Sequence, residues 1–478
     1  MSGLVIASNR GPVSWAQTEA GTVDPRRGFG GLVTALGGAL QHEPGTWVSV
    51  ALSDVDAEVA RAHEGKPFEV SAEGSRYTLR LLDVGERFDP YYNEVSNRLL
   101  WFTVHGLWGE PYEPVGSGWS EPWADGYLPV NRTVAEAVIA SVETDADIFL
   151  QDYHLGTAGS VIRDALPDAK ILHYIHTPWV GPGELRRLPD TIAHGVLRGL
   201  LAADVVAFSS PMWCRGFIRC AEDFLGATRD GDEVVLDGRR TQVLDFVLGV
   251  DEDDLANSAA SPAARQAGAR LDERIGDRQL LLRVDRTDLS KNILRGLLAF
   301  ELLLEHYPEH RERVWHYCNL NPSRQGVPEY RRYLEACRDA ATRIAGRFGP
   351  DCITFEVGDD YPGVVAALQR YDVLLTNPVI DGTNLVAKEG ATLNDRDGVL
   401  VLSRAAGAAT ALGEGPLTVN PYDVEQTAEA LHTALTMDAA ERKARSQVLK
   451  TAARRGAPGV WLDAQRAALR AAVARRRM

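Results

Sequence analysis

The sequence predicts an α/β protein with two Rossmann-like, doubly wound domains, and three observations lead to this prediction. The 478 residues are too many for one hydrophobic core. Short apolar, β-branched segments alternate with longer amphipathic ones, which is typical of βαβ units and parallel sheets. The alternation is interrupted at 251–277 by a segment rich in Ala, Ser and Asp. Two such halves facing each other across a cleft form the arrangement called GT-B. The simpler alternative is one large α/β enzyme with an insertion.

Six strands are predicted in each half of the chain. In the first half they span 4–9, 46–52, 77–84, 147–152, 170–176 and 205–210. In the second half they span 279–285, 313–320, 352–358, 372–378, 398–403 and 416–420. Helical patterns lie between them, for example at 293–307 and 424–435, and 251–277 is expected to be partly helical. We therefore expect domains at 1–250 and 251–455, and a C-terminal helix at 456–478, for which packing back on the N-terminal domain is one option.

Composition and charge exclude several classes of function. The net charge of −15 argues against non-specific nucleic-acid binding, which requires a basic surface. Five scattered cysteines without a C-x-x-C pair indicate free thiols in a reducing compartment. The N-terminus does not resemble a signal peptide and no apolar run reaches 18 residues, so a cytoplasmic protein without a membrane partner is expected. No cofactor is expected, and a homo-oligomer is compatible with the sequence.

Charged side chains follow strands in both halves. Because ligands of parallel α/β sheets bind outside the carboxyl ends of strands, these residues predict a polar site. They are Arg10, Asp152, His176, Arg286, Arg324 and Asp381, with Lys291 five residues after Arg286. Arg286 and Lys291 flank a strand-to-helix turn whose backbone N–H groups favour anions, so we expect them to neutralise a departing diphosphate. Arg10 and Arg324 come from opposite halves and are expected to hold a second phosphate. Taken singly, such cations are more often members of surface ion pairs.

The segment DGTNLVAKE at 381–389 is the most informative one. Asp381 can accept hydrogen bonds from sugar hydroxyls, and the N–H groups near Asn384 and Leu385 begin a helix and favour an anion. Glu389 lies on that helix, within reach of a ribose diol. The alternative is an ordinary helix cap followed by one buried Glu.

Two other features are weak when considered alone. The glycines of 28–32 allow close backbone approach, but they do not form a G-x-G-x-x-G fingerprint. His176 follows an apolar strand, where a lone His is more often a core residue. Asp152 and His154 lack further metal ligands at suitable spacing, so no metal is expected in catalysis.

Eight motifs together resemble trehalose-6-phosphate synthases, the retaining GT-B enzymes of glycosyltransferase family 20, in order and spacing. They are SNR (8–10), GGL (30–32), YYNEVSNRLLW (91–101), DYHL (152–155), HTPW (176–179), DRTDLSK (285–291), PSRQGVPEY (322–330) and DGTNLVAKE (381–389). The resemblance implies transfer of glucose from a nucleotide-glucose donor to glucose 6-phosphate. It also implies that no side chain attacks the sugar, and that the departing phosphate takes the proton of the acceptor hydroxyl.

The resemblance assigns roles to individual residues. It implies that the acceptor is bound by Arg10, Tyr92, Trp101, Asp152 and Arg324. It implies that the donor is bound by Gly31, Arg286, Lys291, Asp360, Thr383, Asn384, Leu385, Val386 and Glu389. The residues expected near the reacting centre are Asp152, His176, Arg286, Lys291 and Asp381.

Three departures from the family pattern bear on the substrate. Other members have Met at the position of Thr383, Phe at that of Trp179 and His at that of Asp360. A carboxylate at 360 matches the adjacent N1–H and amine of guanine, whereas uracil presents one N–H between two carbonyls. GDP-glucose is therefore favoured over UDP-glucose. Alternatively, Asp360 caps the helix that begins near Pro362.

Three other functions are alternatives to trehalose-6-phosphate synthesis. HTPW resembles the pseudo-glycosyltransferase that makes validoxylamine phosphate from a nucleotide-activated cyclitol, although that relative loses the NLVAKE continuation. A sugar-nucleotide epimerase would turn over the donor without an acceptor. A regulatory sugar-phosphate sensor would lack some of the diphosphate-binding residues, whereas Arg286, Lys291 and Glu389 are all present.

Overall fold

The twelve predicted strands are all present, with ends shifted by at most two residues. The computed structural model describes residues 3–17, 22–27, 36–37, 40, 45–72, 74–109, 118–143 and 145–476. Contacts divide the chain into two units, Met1–Leu248 with Pro458–Met478, and Gly249–Ala457.

The first unit contains a ten-stranded sheet and a separate hairpin. The sheet strands are β1 (Leu4–Ser8), β4 (Gly45–Val50), β5 (Phe68–Ala72), β6 (Ser75–Leu82), β7 (Asp147–Gln151), β8 (Lys170–Tyr174), β9 (Val205–Phe208), β10 (Thr228–Asp230), β11 (Glu233–Leu236) and β12 (Arg239–Asp245). The hairpin pairs β2 (Val13–Gln17) with β3 (Val23–Arg27).

The parallel part of this sheet has the order β6-β4-β1-β7-β8-β9-β12. In chain order this is 3-2-1-4-5-6-7, so the direction of winding reverses between β1 and β7, as in a doubly wound fold. Antiparallel strands extend both edges, β5 beside β6 and the β10–β11 pair beside β12. These edge strands were not predicted because they are only three to five residues long, and β12 and the β2–β3 hairpin were not predicted either.

The helices of the first unit lie between the strands. They are α1 (Asp54–Ala62), α2 (Trp101–Val104), α3 (Leu128–Ile139), α4 (Ala158–Ala165), α5 (Pro182–Leu185), α6 (Asp190–Leu201) and α7 (Pro211–Leu225). Pro90–Leu100 and Pro122–Tyr127 are wound as π-helix and continue directly into α2 and α3.

The second unit has one six-stranded, wholly parallel sheet. Its strands are β13 (Gln279–Arg286), β14 (Val314–Asn321), β15 (Ile353–Val357), β16 (Val373–Thr376), β17 (Val399–Ser403) and β18 (Leu417–Val419). The order is β15-β14-β13-β16-β17-β18, which is the Rossmann order 3-2-1-4-5-6.

Helices cover both faces of the second sheet. They are α8 (Glu252–Ala259), α9 (Pro262–Ile275), α10 (Ile293–His306), α11 (Pro328–Phe348), α12 (Tyr361–Arg370), α13 (Leu385–Leu393), α14 (Gly407–Leu412), α15 (Val424–Thr436) and α16 (Ala439–Ala453). Alternate side chains of β13 lie on opposite faces of the sheet and pack in two different hydrophobic cores. Leu280 and Leu282 pack with α9, α12 and α13, and Leu281 packs with α10, α11 and α15. Burial on both faces explains the nearly continuous apolar runs of the sequence.

The chain ends in α17 (Pro458–Arg476), which packs against the first unit. Nε1 of Trp461 donates to the carbonyl of Phe246 at 3.2 Å, and Nη1 of Arg476 donates to Oδ1 of Asp204 at 2.7 Å. In the described part of the chain, no helix is long and apolar enough to cross a membrane.

Candidate active site

The carboxyl ends of β13 and β16 flank the switch point of the second sheet, where α/β folds bind ligands. The chain leaves β13 at Arg286 and makes a 3₁₀ turn over Leu289–Lys291 before α10 begins. Asn292 adopts φ 59° at this junction, and its Nδ2 donates to the carbonyl of Asn377 after β16 at 2.9 Å. The two strand ends are thereby joined.

Lys291 and Asp381 form an ion pair at this switch point. Nζ of Lys291 contacts Oδ2 of Asp381, and the two side chains are only 14% and 16% exposed. Burial alone would lower the pKa of Lys291, but the carboxylates of Asp381 and Asp285 outweigh it and raise that pKa. Lys291 is therefore a cation at neutral pH. Nδ2 of Asn384 also donates to Oδ2 of Asp381, at 3.2 Å.

A buried arginine, Arg283, stabilises the turn at Lys291 by hydrogen bonds. Arg283 is fully buried; its Nη2 donates to the carbonyl of Lys291 at 2.6 Å and its Nη1 to Oδ1 of Asn377 at 2.8 Å. Gly296 of α10 leaves room for this arrangement, because a Cβ there would overlap Nη1 of Arg283 and force the guanidinium to shift. Burial raises the pKa of Asp285 to about 6 despite the neighbouring Arg283 and Lys291.

Asp288 connects the two arginines of this region. Its Oδ1 accepts from the backbone N–H and hydroxyl of Ser290, both at 3.0 Å. Its Oδ2 accepts from Nη1 of Arg324 at 3.0 Å and from the Tyr330 hydroxyl at 3.1 Å, and lies 3.8 Å from Nη2 of Arg286. Asp288 is fully buried, whereas the Arg286 side chain is 46% exposed. One carboxylate thus holds Arg324 in place near the more exposed Arg286.

The N-terminus of α13 lies directly after Asp381 and Thr383. Asn384 has φ 67°, and its side chain accepts from the N–H of Ala387 at 3.0 Å. The amides of Leu385 and Val386 precede the first intrahelical hydrogen bond, so they can bind an anion.

The loop before α13 is held against α14. The carbonyl of Thr383 accepts from the N–H of Ala408 at 2.7 Å. Gly407 makes this contact possible, because a Cβ there would overlap the carbonyl of Gly382.

Glu389 and Asp360 lie further from the switch point. Burial, and to a smaller extent the charge of Asp254 on α8, raise the pKa of Glu389 to about 7. Asp360 is the N-cap of α12, and its Oδ1 accepts from the N–H of Gly363 at 3.0 Å. The exposed Asp360 also borders a cavity of about 240 Å³ beside Trp315 and Tyr317.

The first unit has its own switch point, between β1 and β7. Arg10 follows β1 and has an exposed side chain. Asp152 follows β7 with φ 70°, an unusual backbone conformation for a non-glycine residue. Its Oδ1 accepts from the N–H groups of Tyr153 and His176, at 3.1 and 3.3 Å. Strained residues of this kind are concentrated at functional sites.

Two neutral histidines lie beside Asp152. Burial lowers the pKa of His173 to about 4, and its Nε2 contacts the Asp152 carbonyl at 2.9 Å. Burial, and then the proximity of His173, lower the pKa of His176 to about 3. Nε2 of His176 contacts Oε1 of Gln151 at 2.9 Å. At neutral pH His176 can therefore form a hydrogen bond with a hydroxyl group, but it carries no charge.

The predicted acceptor aromatics belong to the π-helical segment and α2. Tyr92 is half-buried and stacks on Phe88 and His154, with ring centroids 5.0 and 5.9 Å apart. Trp101 is buried and stacks on His105 at 3.9 Å. Gly31 and the rest of 28–32 lie outside the described residues.

Comparison with known proteins identifies the family. The model of glycosyltransferase family 20 matches residues 2–470, nearly the whole chain. The chain belongs to glycosyltransferase family 20. The predicted family and the predicted glycosyltransferase activity class are thereby confirmed.

Three proteins similar to this chain are informative. The chain is 32% identical over 454 residues to a probable UDP-forming alpha,alpha-trehalose-phosphate synthase of Arabidopsis thaliana, covering 92% of this chain but only 54% of that protein. It is 29% identical over 481 residues to validamine 7-phosphate valienyltransferase of Streptomyces hygroscopicus, covering 97% and 93%. A UDP-forming synthase structure from Burkholderia xenovorans, in complex with glucose-6-phosphate, has a TM-score of 0.83 and 27% identity, covering 98% and 99%.

These similarities have different consequences for the predictions. The structural match confirms the α/β GT-B fold class. The expected preference for GDP-glucose has no support, because the trehalose-phosphate synthases are described as UDP-forming. The assigned roles of individual residues remain predictions.

Sequence analysis missed Arg283, Asp285 and Asp288. A charge inside the apolar run of β13 was the only signal for Arg283, whereas Asp285 begins the motif DRTDLSK (285–291) but received no role of its own. Asp288 was noted only as part of the turn.

Proposed function

We propose that the chain transfers glucose from a nucleoside diphosphate glucose to glucose 6-phosphate, forming trehalose 6-phosphate with retention of configuration. The observation that carries this proposal is the grouping of Lys291, Arg286 and the N-terminus of α13 around the switch point of the second unit. Such a grouping suits a diphosphate. The family relatives named above support the same substrates.

In this proposal the second unit stabilises the leaving group. Lys291 and Arg286 neutralise the charge that develops on the diphosphate, and the amides of Leu385 and Val386 bind its oxygens. Arg283 fixes the Lys291 backbone, and the ion pair with Asp381 fixes its ammonium group. The site is thus organised before the donor arrives, so little reorganisation is needed during the reaction. The departing phosphate accepts the proton of the acceptor hydroxyl.

The remaining roles are those that the resemblance to trehalose-6-phosphate synthases implies, and they are kept here as part of the proposal. Asp381 and neutral His176 bind hydroxyls of the transferred glucose, and Glu389 binds the ribose diol. Arg10 and Arg324 bind the acceptor phosphate, and Asp152, Tyr92 and Trp101 contact the acceptor sugar. Thr383 contacts the bound donor. Gly31 is proposed to lie beside the donor diphosphate.

For the donor base, the present support favours UDP-glucose over GDP-glucose. The family relatives are UDP-forming. A guanine base would need both oxygens of the Asp360 carboxylate, but Oδ1 of Asp360 accepts from the N–H of Gly363 as a helix cap. If Asp360 acts as a cap, Asp360→Ala should keep the wild-type donor preference and lose about 1 kcal/mol of stability. If kcat/KM for GDP-glucose exceeds that for UDP-glucose in the wild type but not in Asp360→Ala, Asp360 selects the donor base.

The central test measures nucleotide release with UDP-glucose and GDP-glucose, each with glucose 6-phosphate, glucose or no acceptor. We expect release only with glucose 6-phosphate, and trehalose 6-phosphate as the product. Lys291→Ala should lower kcat by about 10²-fold or more, the scale for one lost transition-state donor. Lys66→Ala, at an exposed surface position, is the control. A raised KM with an unchanged kcat for Lys291→Ala would contradict the leaving-group role.

A second candidate is the coupling of a nucleotide-activated cyclitol to a cyclitol phosphate. It is supported by the 29% identity to the valienyltransferase across 93% of that protein. The intact segment 381–389 favours the synthase. Turnover of a nucleotide-activated cyclitol with validamine 7-phosphate, and none with either nucleotide glucose, would establish this second candidate instead.

A further inference from the structure

Two histidines and a glutamate lie together on the second unit, away from the proposed active site. His310 ends a short 3₁₀ turn, Pro308–His310, and His432 lies on α15. Nε2 of His310 is 3.0 Å from Nδ1 of His432. One ring nitrogen of each histidine and a carboxylate oxygen of Glu309 all lie within 4.8 Å of one another. Among the described residues this is the one group of three such ligands so close together.

The two imidazoles are held in this orientation by their surroundings. His310 is 4% exposed, so its ring cannot turn towards solvent without opening the core. The ring of Tyr307 stacks on His432, with centroids 3.7 Å apart and planes 10° from parallel. Glu309 is exposed, so its side chain can change rotamer without disturbing the fold. The group therefore combines two fixed nitrogens with one adjustable oxygen.

We propose that Glu309, His310 and His432 form a binding site for a divalent transition-metal ion of the zinc type. Two nitrogens bound to one zinc ion at ~2.1 Å are about 3.4 Å apart at the tetrahedral angle. The observed separation of 3.0 Å has to open only slightly. Glu309 supplies the third ligand and water the fourth. The histidine that donates the N–H between the two rings must change tautomer: that proton leaves the facing nitrogen and is replaced, through solvent, by one on the other nitrogen of the same ring. Both facing nitrogens then present lone pairs to the ion, and each imidazole stays neutral.

The position indicates a structural site, not a catalytic one. The turn 308–310 leads into the amino end of β14, whereas Lys291 follows the carboxyl end of β13. The 14 residues of α10 separate the two places, about 20 Å along a helix. The ion would join two segments that are 122 residues apart in sequence. Metal binding should therefore raise the stability of the second unit without taking part in glucose transfer.

The ligand set predicts the selectivity of the site. Two imidazoles and a carboxylate suit zinc, cobalt, nickel and copper, whereas Ca²⁺ and Mg²⁺ require more oxygen ligands. Affinity should rise from Co²⁺ to Cu²⁺ in the Irving–Williams order.

The experiment uses the full-length chain without a histidine tag. Co²⁺ is added stepwise and its visible absorption recorded, and Zn²⁺ is then used to displace it. Thermal unfolding is measured with Zn²⁺, Ca²⁺ or no metal. Glu309→Gln and His432→Gln remove one ligand each, and exposed Glu312→Gln and His306→Gln are the matched controls. Glu309→Gln changes only an exposed side chain, so it should fold normally.

We expect one Co²⁺ per chain with a spectrum of tetrahedral nitrogen and oxygen coordination, displaced by Zn²⁺. Zn²⁺ should raise the unfolding temperature and Ca²⁺ should not. Glu309→Gln and His432→Gln should weaken Co²⁺ binding by at least about 10-fold and 100-fold, while both controls bind like the wild type. The proposal is overturned if the wild type binds no Co²⁺, or if the ligand variants bind it as tightly as the controls.

Discussion

At the scale of single residues, buried neutral histidines connect stability to pH. His173 is fully buried, and its folded pKa of about 4 is well below the ordinary value of 6.5. The unfolded chain takes up a proton below pH 6.5, whereas the folded chain does so only near pH 4. The stabilising effect is therefore complete above pH 6.5 and is lost as the pH falls towards 4.

We predict that His173→Gln reduces the acid sensitivity of the fold. Between pH 7.5 and 5, His173 should account for about 2 kcal/mol of the loss in unfolding free energy. Urea unfolding at both pH values, with the exposed His306→Gln as control, measures this share. An equal loss in the wild type and in His173→Gln would contradict the prediction.

Asp288 offers a second prediction at this scale. Its carboxylate holds Arg324 and Tyr330 and lies near Arg286. Asp288→Asn keeps the shape but removes the charge that orients the arginines, so the phosphate-binding groups should be less well positioned. We expect kcat/KM to fall by at least about tenfold. Asp438→Asn, which caps the exposed start of α16, changes another N-cap and should leave kcat/KM unchanged.

At the scale of elements, the buried strands were predictable and the supporting contacts were not. Parallel strands covered on both faces, such as β16 and β17, have nearly continuous apolar sequences that stand out. The strands β5, β10, β11 and β12 were missed because they lie at or near a sheet edge and are only partly buried, so that their apolar runs are short. The clustering of charges at strand ends follows from topology, but the role of Arg283 does not. A basic residue inside an apolar strand reveals neither its burial nor its hydrogen bond to Lys291.

The C-terminal helix α17 gives the prediction for this scale. Trp461 is 2% exposed, and its ring packs edge-on against Tyr174 at 4.9 Å. Trp461→Ala should destabilise the first unit by about 3–5 kcal/mol, because the cavity cannot be filled by the β-sheet beneath it. Val460 is 64% exposed, so Val460→Ala should stay within about 0.5 kcal/mol of the wild type. Equal thermal unfolding curves for the two variants would show that α17 contributes little.

At the scale of the whole molecule, an acidic chain concentrates cations at one place. The net charge is −15, yet Arg286, Lys291 and Arg324 are grouped around the switch point of the second sheet. Each unit has its own Rossmann-type sheet and its own reversal of strand order. The residues proposed for the diphosphate all belong to the second unit apart from Gly31, so this unit should bind the nucleotide largely without help from the first.

We predict that UDP alone protects the second unit from hydrogen exchange. At 100 times its Kd, UDP should stabilise that unit by about 2.7 kcal/mol, because it binds the folded form only. Protection should be largest in the turn 286–292 and in 381–393, where the proposed phosphate contacts lie. Amide exchange in β14 should also slow, because β14 belongs to the unit that UDP stabilises. Lys291→Ala should abolish this protection at the same UDP concentration, and Lys66→Ala should retain it. If exchange slows mainly in β1 and β7, the nucleotide binds the first unit, which would contradict the proposed binding to the second unit.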